Sequence, residues 1–167
     1  MKLVFWHNGI QVQEILDTFS PQKRHEVMSK IRGKETTIEK KARLYLYHHG
    51  IRYRKNSRNI PGKPDISVEK YKIAIFVNGC FWHGHQDCKY YRIPKTNTEY
   101  WVSKIDRNIE RDNKVKNLLK SQGWKVITIW ECQLKKTIFE ETMANVLHEI
   151  QKVKLKASSS DKSKDIV

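Results

Sequence analysis

Cysteine is scarce in this chain: three residues in 167. No apolar stretch is long enough to cross a bilayer. The first segment, Met1 to Phe19, carries Glu14, Asp17 and two glutamines and lacks the apolar centre of a secretory signal. These absences point to the cytoplasm and away from a membrane. Thiols stay reduced there, so the three cysteines are metal ligands or free thiols and not disulfides. Acidic residues are also in short supply, 18 against 33 Lys plus Arg, for a formal charge of +15. That excess favours a polyanionic partner. The basic residues are spread along the chain, so no single tail accounts for it. There is no internal repeat. Ten per cent aromatics with five Trp exclude disorder over most of the length.

What is present is enough for one domain with a real core. Residues 1–19 form an extension with no assignable role. Ser20-Pro21 opens a short basic helix over about Pro21 to Ile31. Thr36-Thr37-Ile38-Glu39 is a capping box, and the helix it opens runs to about His49, with Ile38, Ala42, Leu44, Leu46 and Tyr47 as its apolar side. Ile51 to Arg54 is a short strand. Pro64 to Val68 and Ile73 to Val77 form a hairpin across a polar turn at Glu69-Lys70. A second capping box, Thr96 with Glu99, starts a long helix to about Gln122, with Trp101, Ile105, Ile109, Val115 and Leu119 at near-helical spacing. Val126 to Trp130 is a second buried strand. Strand, helix, strand is a crossover unit, so these two strands should run parallel. A last helix covers about Ile138 to Val153, and residues 155–167 form a polar tail. The folded domain is thus expected over 20–154, as an α/β mixed sheet flanked by helices.

The rest is organised around Ile73 to Cys88. Here a buried strand stops at Asn78-Gly79, and Cys80, His83, His85 and Cys88 follow within nine positions. Cys132 ends the neighbouring strand. Adjacent strands lie about 4.8 Å apart, so Cys132 can reach the Cys80 turn. Cys80, His85, Cys88 and Cys132 would complete a closed tetrahedral zinc site, structural because no position is left for water. His83 is the alternative to His85 as the imidazole ligand.

Asp65, at the start of the hairpin, could hold Mg²⁺ near the turn that carries Asn78 and His83. Many metal-dependent nucleases pair such an Asp with a Glu-x-Lys on the next strand, which this chain lacks; a Pro-Asp turn is the bland explanation. His83 is suited to proton transfer near neutrality. Phe81, Trp82 and Trp101 are either core residues or apolar wedges of the kind that pry base pairs apart.

Taken in order, Thr37-Ile38-Glu39-Lys40, Pro61-Gly62-Lys63-Pro64-Asp65, Gly79-Cys80-Phe81-Trp82-His83, Ile93-Pro94-Lys95-Thr96, Glu99-Tyr100-Trp101, Glu110-Arg111-Asp112 and Gly123-Trp124-Lys125-Val126 with Trp130-Glu131-Cys132 resemble the very-short-patch repair (Vsr) DNA mismatch endonucleases. The resemblance spans about Phe19 to Leu134. It implies a restriction-endonuclease-like fold with a structural zinc site. The implied activity is Mg²⁺-dependent nicking of one strand 5′ to the T of a T·G mismatch left by deamination of 5-methylcytosine. By the same resemblance Asp65 is the Mg²⁺ ligand and His83 the catalytic histidine. Glu39 matches an acidic residue near the active site. Phe81, Trp82 and Trp101 match intercalating aromatics, and Met28 a minor-groove wedge. The implied partner is duplex DNA in a bacterial nucleoid, with mismatch-repair proteins as a further class, and a monomer suffices to cut one strand.

Two departures stand out. The best-known family pattern has Thr-His where this chain has Val77-Asn78. Val77 can still offer a backbone carbonyl to a metal, whereas Asn78 can hydrogen-bond but cannot shuttle a proton near neutral pH. The His85-x2-Cys88 spacing is also one residue longer. Two other readings follow from the missing groups: a restriction-type nuclease of the same fold, or a non-catalytic zinc module that binds distorted DNA.

Overall fold

The computed structural model describes residues 4–7, 10–13, 20, 22, 23, 26 and 36–162. Most of the expected helix over Pro21 to Ile31, with Met28, lies outside them. In the first segment, β1 (Val4–His7) and β2 (Ile10–Gln13) form an antiparallel ribbon, Val4 opposite Gln13.

The main body begins with α1 (Thr37–His48). Its capping box forms as the sequence predicts: Glu39 N donates to Thr36 Oγ1, and Thr36 N donates to Glu39 Oε1, each at 3.3 Å. The buried face differs from the expected one. Leu44 and Tyr47 are more than half exposed, while Glu39, Ala42, Arg43 and Leu46 are buried. The helix faces inward along positions 39, 42, 43 and 46, and two of these, Glu39 and Arg43, are oppositely charged and 3.9 Å apart.

Next come β3 (Ile66–Val68), a 3-10 turn over Glu69–Tyr71, and β4 (Ile73–Asn78). β3 and β4 pair antiparallel, with Ile66 opposite Ile75. The strand expected over Ile51 to Arg54 does not form; it is reduced to a single bridge between Arg54 and Ser67. α2 (Thr98–Ser121) then crosses over to β5 (Lys125–Trp130), which pairs parallel to β4, Ala74 opposite Val126 and Asn78 opposite Trp130. α2 does not start in the expected capping box. Its N-cap is Asn97, left-handed at φ 56°, a conformation Asn tolerates better than most residues. Thr98 Oγ1 instead donates back to Pro94 O and Lys95 O. Gly123, at φ +80°, ends the helix. The last helix, α3 (Phe139–Lys162), runs past the point where the sequence suggested a polar tail.

Strand alternation sorts the core into two sides. Ile73, Ile75, Val77 and Ile129 pack with Ala42 and Leu46 of α1 and Met143, Val146 and Ile150 of α3. Ala74, Phe76 and Val126 face the other way, against Val115 and Leu119 of α2. Successive side chains of a strand point to opposite faces, so a strand covered on both reads as the unbroken apolar run seen in β4. Full burial of a residue such as Ile75 or Ile129 contributes about 1.5–3 kcal/mol. The result is an α/β body, a three-stranded mixed sheet between helices, and its β4–β5 parallel pair delivers both strand ends to one edge.

Candidate functional site

At that edge the chain turns tightly after Asn78. His83 N donates to Gly79 O at 3.2 Å and His85 N to Cys80 O at 3.0 Å. The turn is pressed onto α2. Gly84 has φ +59°, and a Cβ there would lie 2.6 Å from Ile109 Cδ1 and 3.2 Å from Ile105 Cγ2. Both the backbone conformation and the lack of space demand glycine. Asn108 Nδ2 donates to Trp82 O at 2.9 Å, a second tie between helix and turn.

On one side of the turn the side chains of Cys80, His85, Cys88 and Cys132 converge, their ligand atoms all within 4.8 Å of one another. His85 Nδ1 is 3.4 Å from both Cys80 Sγ and Cys132 Sγ. Bond lengths of about 2.3 Å to sulfur and 2.0 Å to nitrogen place such atoms about 3.6 Å apart around tetrahedral zinc, so the cluster is near that size. The imidazole lies flat on Trp130, ring centres 4.1 Å apart. Burial lowers the His85 pKa, which keeps the ring neutral and able to donate a lone pair. Burial also pushes the Cys80 thiol up to about 12, with the Cys132 and Cys88 thiols adding to it, and raises Cys132. Buried neutral thiols of this kind lose their protons when a metal binds. Three sulfurs and one imidazole are the donor set of a structural zinc site. His83 is not part of this cluster; the imidazole in it is His85.

A second set of groups is acidic. Asp65 Oδ2 accepts from Val77 N at 2.7 Å, so the carboxylate sits against the last residues of β4. Burial raises its pKa to about 6; the Val77 hydrogen bond opposes this, the Glu39 carboxylate adds to it and Arg43 offsets it. Glu39, Arg43 and Asn78 are all buried. Glu39 Oε1 accepts from Thr36 Oγ1 at 2.7 Å, and Glu39 Oε2 faces Arg43 Nη1 at 3.9 Å. A raised carboxyl acted on by a second carboxylate near a strand end is the electrostatic profile of a functional site, and one a divalent cation would relieve.

His83 Nδ1 is hydrogen-bonded to Asp112 Oδ2 on α2. Burial works to raise the Asp112 pKa, but its bonds to His83 and Arg111 hold it below the ordinary carboxylate range. An ionised Asp112 accepts a hydrogen bond from Nδ1–H, which leaves Nε2 as the nitrogen with a free lone pair. Sequence reasoning named His83 but gave Asp112 no role. A signal was there: Asp112 continues the inward stripe of Trp101, Ile105, Ile109, Val115 and Leu119, where an acid is out of place.

The aromatics form one nest. Phe81 meets Trp82 and Trp101 edge to face, ring centres 5.1 and 5.4 Å apart. Trp101 is buried beside Ile93 and Ile105, while Phe81 and Trp82 are half-buried. Tyr100, its ring 5.2 Å from Trp101, is exposed.

Residues 16–90 match the family model described as DNA mismatch endonuclease Vsr. The chain is 47% identical over 136 residues to the type II nicking enzyme V.NmeAIP of Neisseria meningitidis serogroup A, covering 81% of this chain and 96% of that one. It is 38% identical over 119 residues to the DNA mismatch endonuclease Vsr of Escherichia coli, covering 71% and 76%. The type II nicking enzyme V.XorIIP of Xanthomonas oryzae is 37% identical over 132 residues, covering 78% and 96%. The chain belongs to the Vsr family. The match to the family model takes in Glu39, Asp65, Asn78, His83 and three of the four cluster residues. Cys132 and Asp112 fall outside it, and the fold itself brings them to the turn. The Vsr family is restriction-endonuclease-like, in keeping with the mixed sheet and flanking helices seen here. No helix among the described residues is long and apolar enough to cross a membrane.

Proposed function

We propose that this chain is a Mg²⁺-dependent endonuclease that nicks one strand of duplex DNA 5′ to the T of a T·G mismatch, the first step in restoring C·G after deamination of 5-methylcytosine. The observation that carries the reading is the meeting of two different chemistries near the end of β4: a partly buried carboxylate, Asp65, bonded to Val77 N, and an imidazole, His83, held by Asp112.

Asp65 would hold the cation, with the Val77 carbonyl as a second ligand and Glu39 nearby. When bound, Mg²⁺ supplies charge neutralisation at the scissile phosphate and at the departing 3′ oxygen. His83 accepts the proton of the attacking water at Nε2, while Asp112 fixes the tautomer and steadies the charged imidazole. Asn78 replaces the second histidine of the best-known family pattern. It hydrogen-bonds to phosphate or to bound water without moving a proton, so the proton transfer rests on His83 alone. Phe81 and Trp82 are the half-exposed edge of the aromatic nest and enter the base stack beside the mismatch. Trp101 backs them and, with Met28, completes the set of wedges. Cys80, His85, Cys88 and Cys132 would hold Zn²⁺, which when bound would fix the turn that carries His83, Phe81 and Trp82. The protein works in the bacterial cytoplasm as a monomer, with mismatch-repair proteins as further partners.

The test is an end-labelled duplex with one T·G mismatch, incubated with and without Mg²⁺ beside T·A and C·G controls. A single Mg²⁺-dependent nick 5′ to the mismatched T is the expected result. Cleavage of matched duplex would favour a restriction-type nuclease. Tight mismatch binding with no nick in several flanking sequences would favour a binding module.

A further inference from the structure

A left-handed backbone suits glycine and, less well, asparagine and aspartate. Five residues other than glycine have positive φ among the described residues, and Asn56, Asp87 and Asn97 are of that tolerant kind. Lys72 is a fourth; its Nζ donates to Gln122 O at 3.2 Å, which ties the end of α2 to the hairpin. Lys63, at φ 51°, is the fifth, and it precedes Pro64, whose ring favours extended backbone before it. The Lys63 side chain is exposed and makes no hydrogen bond, ion pair or ring contact among the described residues. Glycine or asparagine would make this turn more easily, so its shape does not call for a lysine. Strain kept without a structural return points to function.

The surroundings of the turn say which. Lys63 N donates to Ile60 O at 2.9 Å, and Ile60 is buried with Ala74 and Leu119. A Cβ on Gly62 would lie 2.3 Å from Val115 Cγ1 and 3.3 Å from Phe76 Cε1, so the turn is pressed onto α2 and β4. Val115 is one turn past Asp112, the partner of His83. Phe76 precedes Val77, whose N–H holds Asp65. Pro64 is fully buried, and the two residues of chain from Lys63 to Asp65 span at most about 7 Å. Lys63 thus stands on a braced turn that touches the elements carrying both halves of the site. β4 itself ends Phe76-Val77-Asn78 and offers no cation.

We propose that Lys63 binds the scissile phosphate of the DNA, its ammonium meeting a non-bridging oxygen and countering the charge that builds there as water attacks. The inference rests on the nicking reading above.

The experiment compares wild type with Lys63→Met, Lys63→Arg and Lys63→Gly. Single-turnover nicking of the T·G duplex is measured at saturating protein and Mg²⁺. Salt dependence of Mg²⁺-free binding and thermal unfolding are measured in parallel. Lys63→Met should slow nicking about 100-fold and lower the slope of log affinity against log salt by about 1, the share of a single phosphate contact. Lys63→Arg should keep most of both. Lys63→Gly should be as slow as Lys63→Met yet melt at or above wild type, because it relieves the backbone. A neutral methylphosphonate at the scissile position should weaken binding by wild type about ten-fold and by Lys63→Met about two-fold or less. Should Lys63→Met fail to fold, Lys63→Gly carries the same comparisons. An unchanged salt slope, an equal methylphosphonate penalty in wild type and variant, or a Lys63→Gly protein that melts below wild type would each overturn the role. A wild type that does not nick would overturn the nicking reading and this inference with it; a nicking wild type with an equally fast Lys63→Met overturns this inference alone.

Discussion

Cys80 and Asp65 are both anchored within two residues of the end of β4, and burial raises the pKa of each. The consequences differ. Cys80 has three partners whose ligand atoms all lie within 4.8 Å of one another, so a bound metal would remove the protons and the penalty together. Asp65 has a like charge beside it in Glu39, and Arg43 only partly offsets this. Without a cation its penalty stands. On the proposed reading, the first cluster stabilises the fold once metal is bound, and the second costs the fold stability until a cation is bound. This opposition makes sharp demands on single substitutions.

The largest effect should come from Cys132→Ser. Losing one of four ligands should release the metal and cost stability on the order of several kcal/mol, because metal binding and folding are coupled. Metal analysis and calorimetry check it, and unchanged zinc content with an unchanged Tm would remove Cys132 from the ligand set.

Asp65→Asn should do the reverse. Below about pH 4 the Asp65 carboxyl is protonated in both folded and unfolded chains, so nothing is lost. As pH rises from about 4 to 6 the unfolded chain ionises first, and wild-type stability falls. Above pH 6 the full penalty applies, roughly 2–3 kcal/mol for a shift of this size. In metal-free buffer the Asn variant should therefore melt higher than wild type at pH 8, with the gain fading toward pH 4. Equal melting at both pH values would show that the carboxylate carries no such burden.

Asp112→Asn should fall between the two clusters in kind. It leaves the cysteines untouched but releases His83 from its tautomer, and nicking should drop about 100-fold with DNA affinity little changed. A variant at wild-type rate would strip Asp112 of its role.

The smallest effect expected is that of Gly84→Ala. A Cβ 2.6 Å from Ile109 on a left-handed backbone should cost about 1–2 kcal/mol and slightly disturb the metal cluster and His83, since the turn carries both. A Tm at or above wild type would mean that the turn gives way without cost.

Much of this was legible in the sequence. The parallel pair came from an apolar run, a long amphipathic helix and a second apolar run, and the metal cluster from cysteines that fall at the two strand ends. The capping box at Thr36 is local chemistry and forms as expected. What was missed depends on partners distant in the chain. Leu44 and Tyr47 look like core residues by hydropathy, but the inward face of α1 is set by Glu39 and Arg43, which neutralise each other. The Thr96 box lost to Asn97, whose left-handed conformation moves the helix start one residue on. Ile51 to Arg54 had the composition of a strand but found a pairing partner at only one position. The His83–Asp112 pair spans 29 residues and forms where the turn packs on α2 at Gly84; its only trace in the sequence is an acid on the inward stripe of that helix.

The central claim is that Asp65 trades stability for strand cleavage. It is tested most directly by nicking of the T·G duplex with wild type and Asp65→Asn, at saturating Mg²⁺, alongside metal-free melting of the same samples at pH 8. The account predicts a single nick 5′ to the mismatched T by wild type, none by the variant, and the higher Tm in the variant. A variant that nicks as fast as wild type, or one that neither nicks nor gains stability, would contradict it.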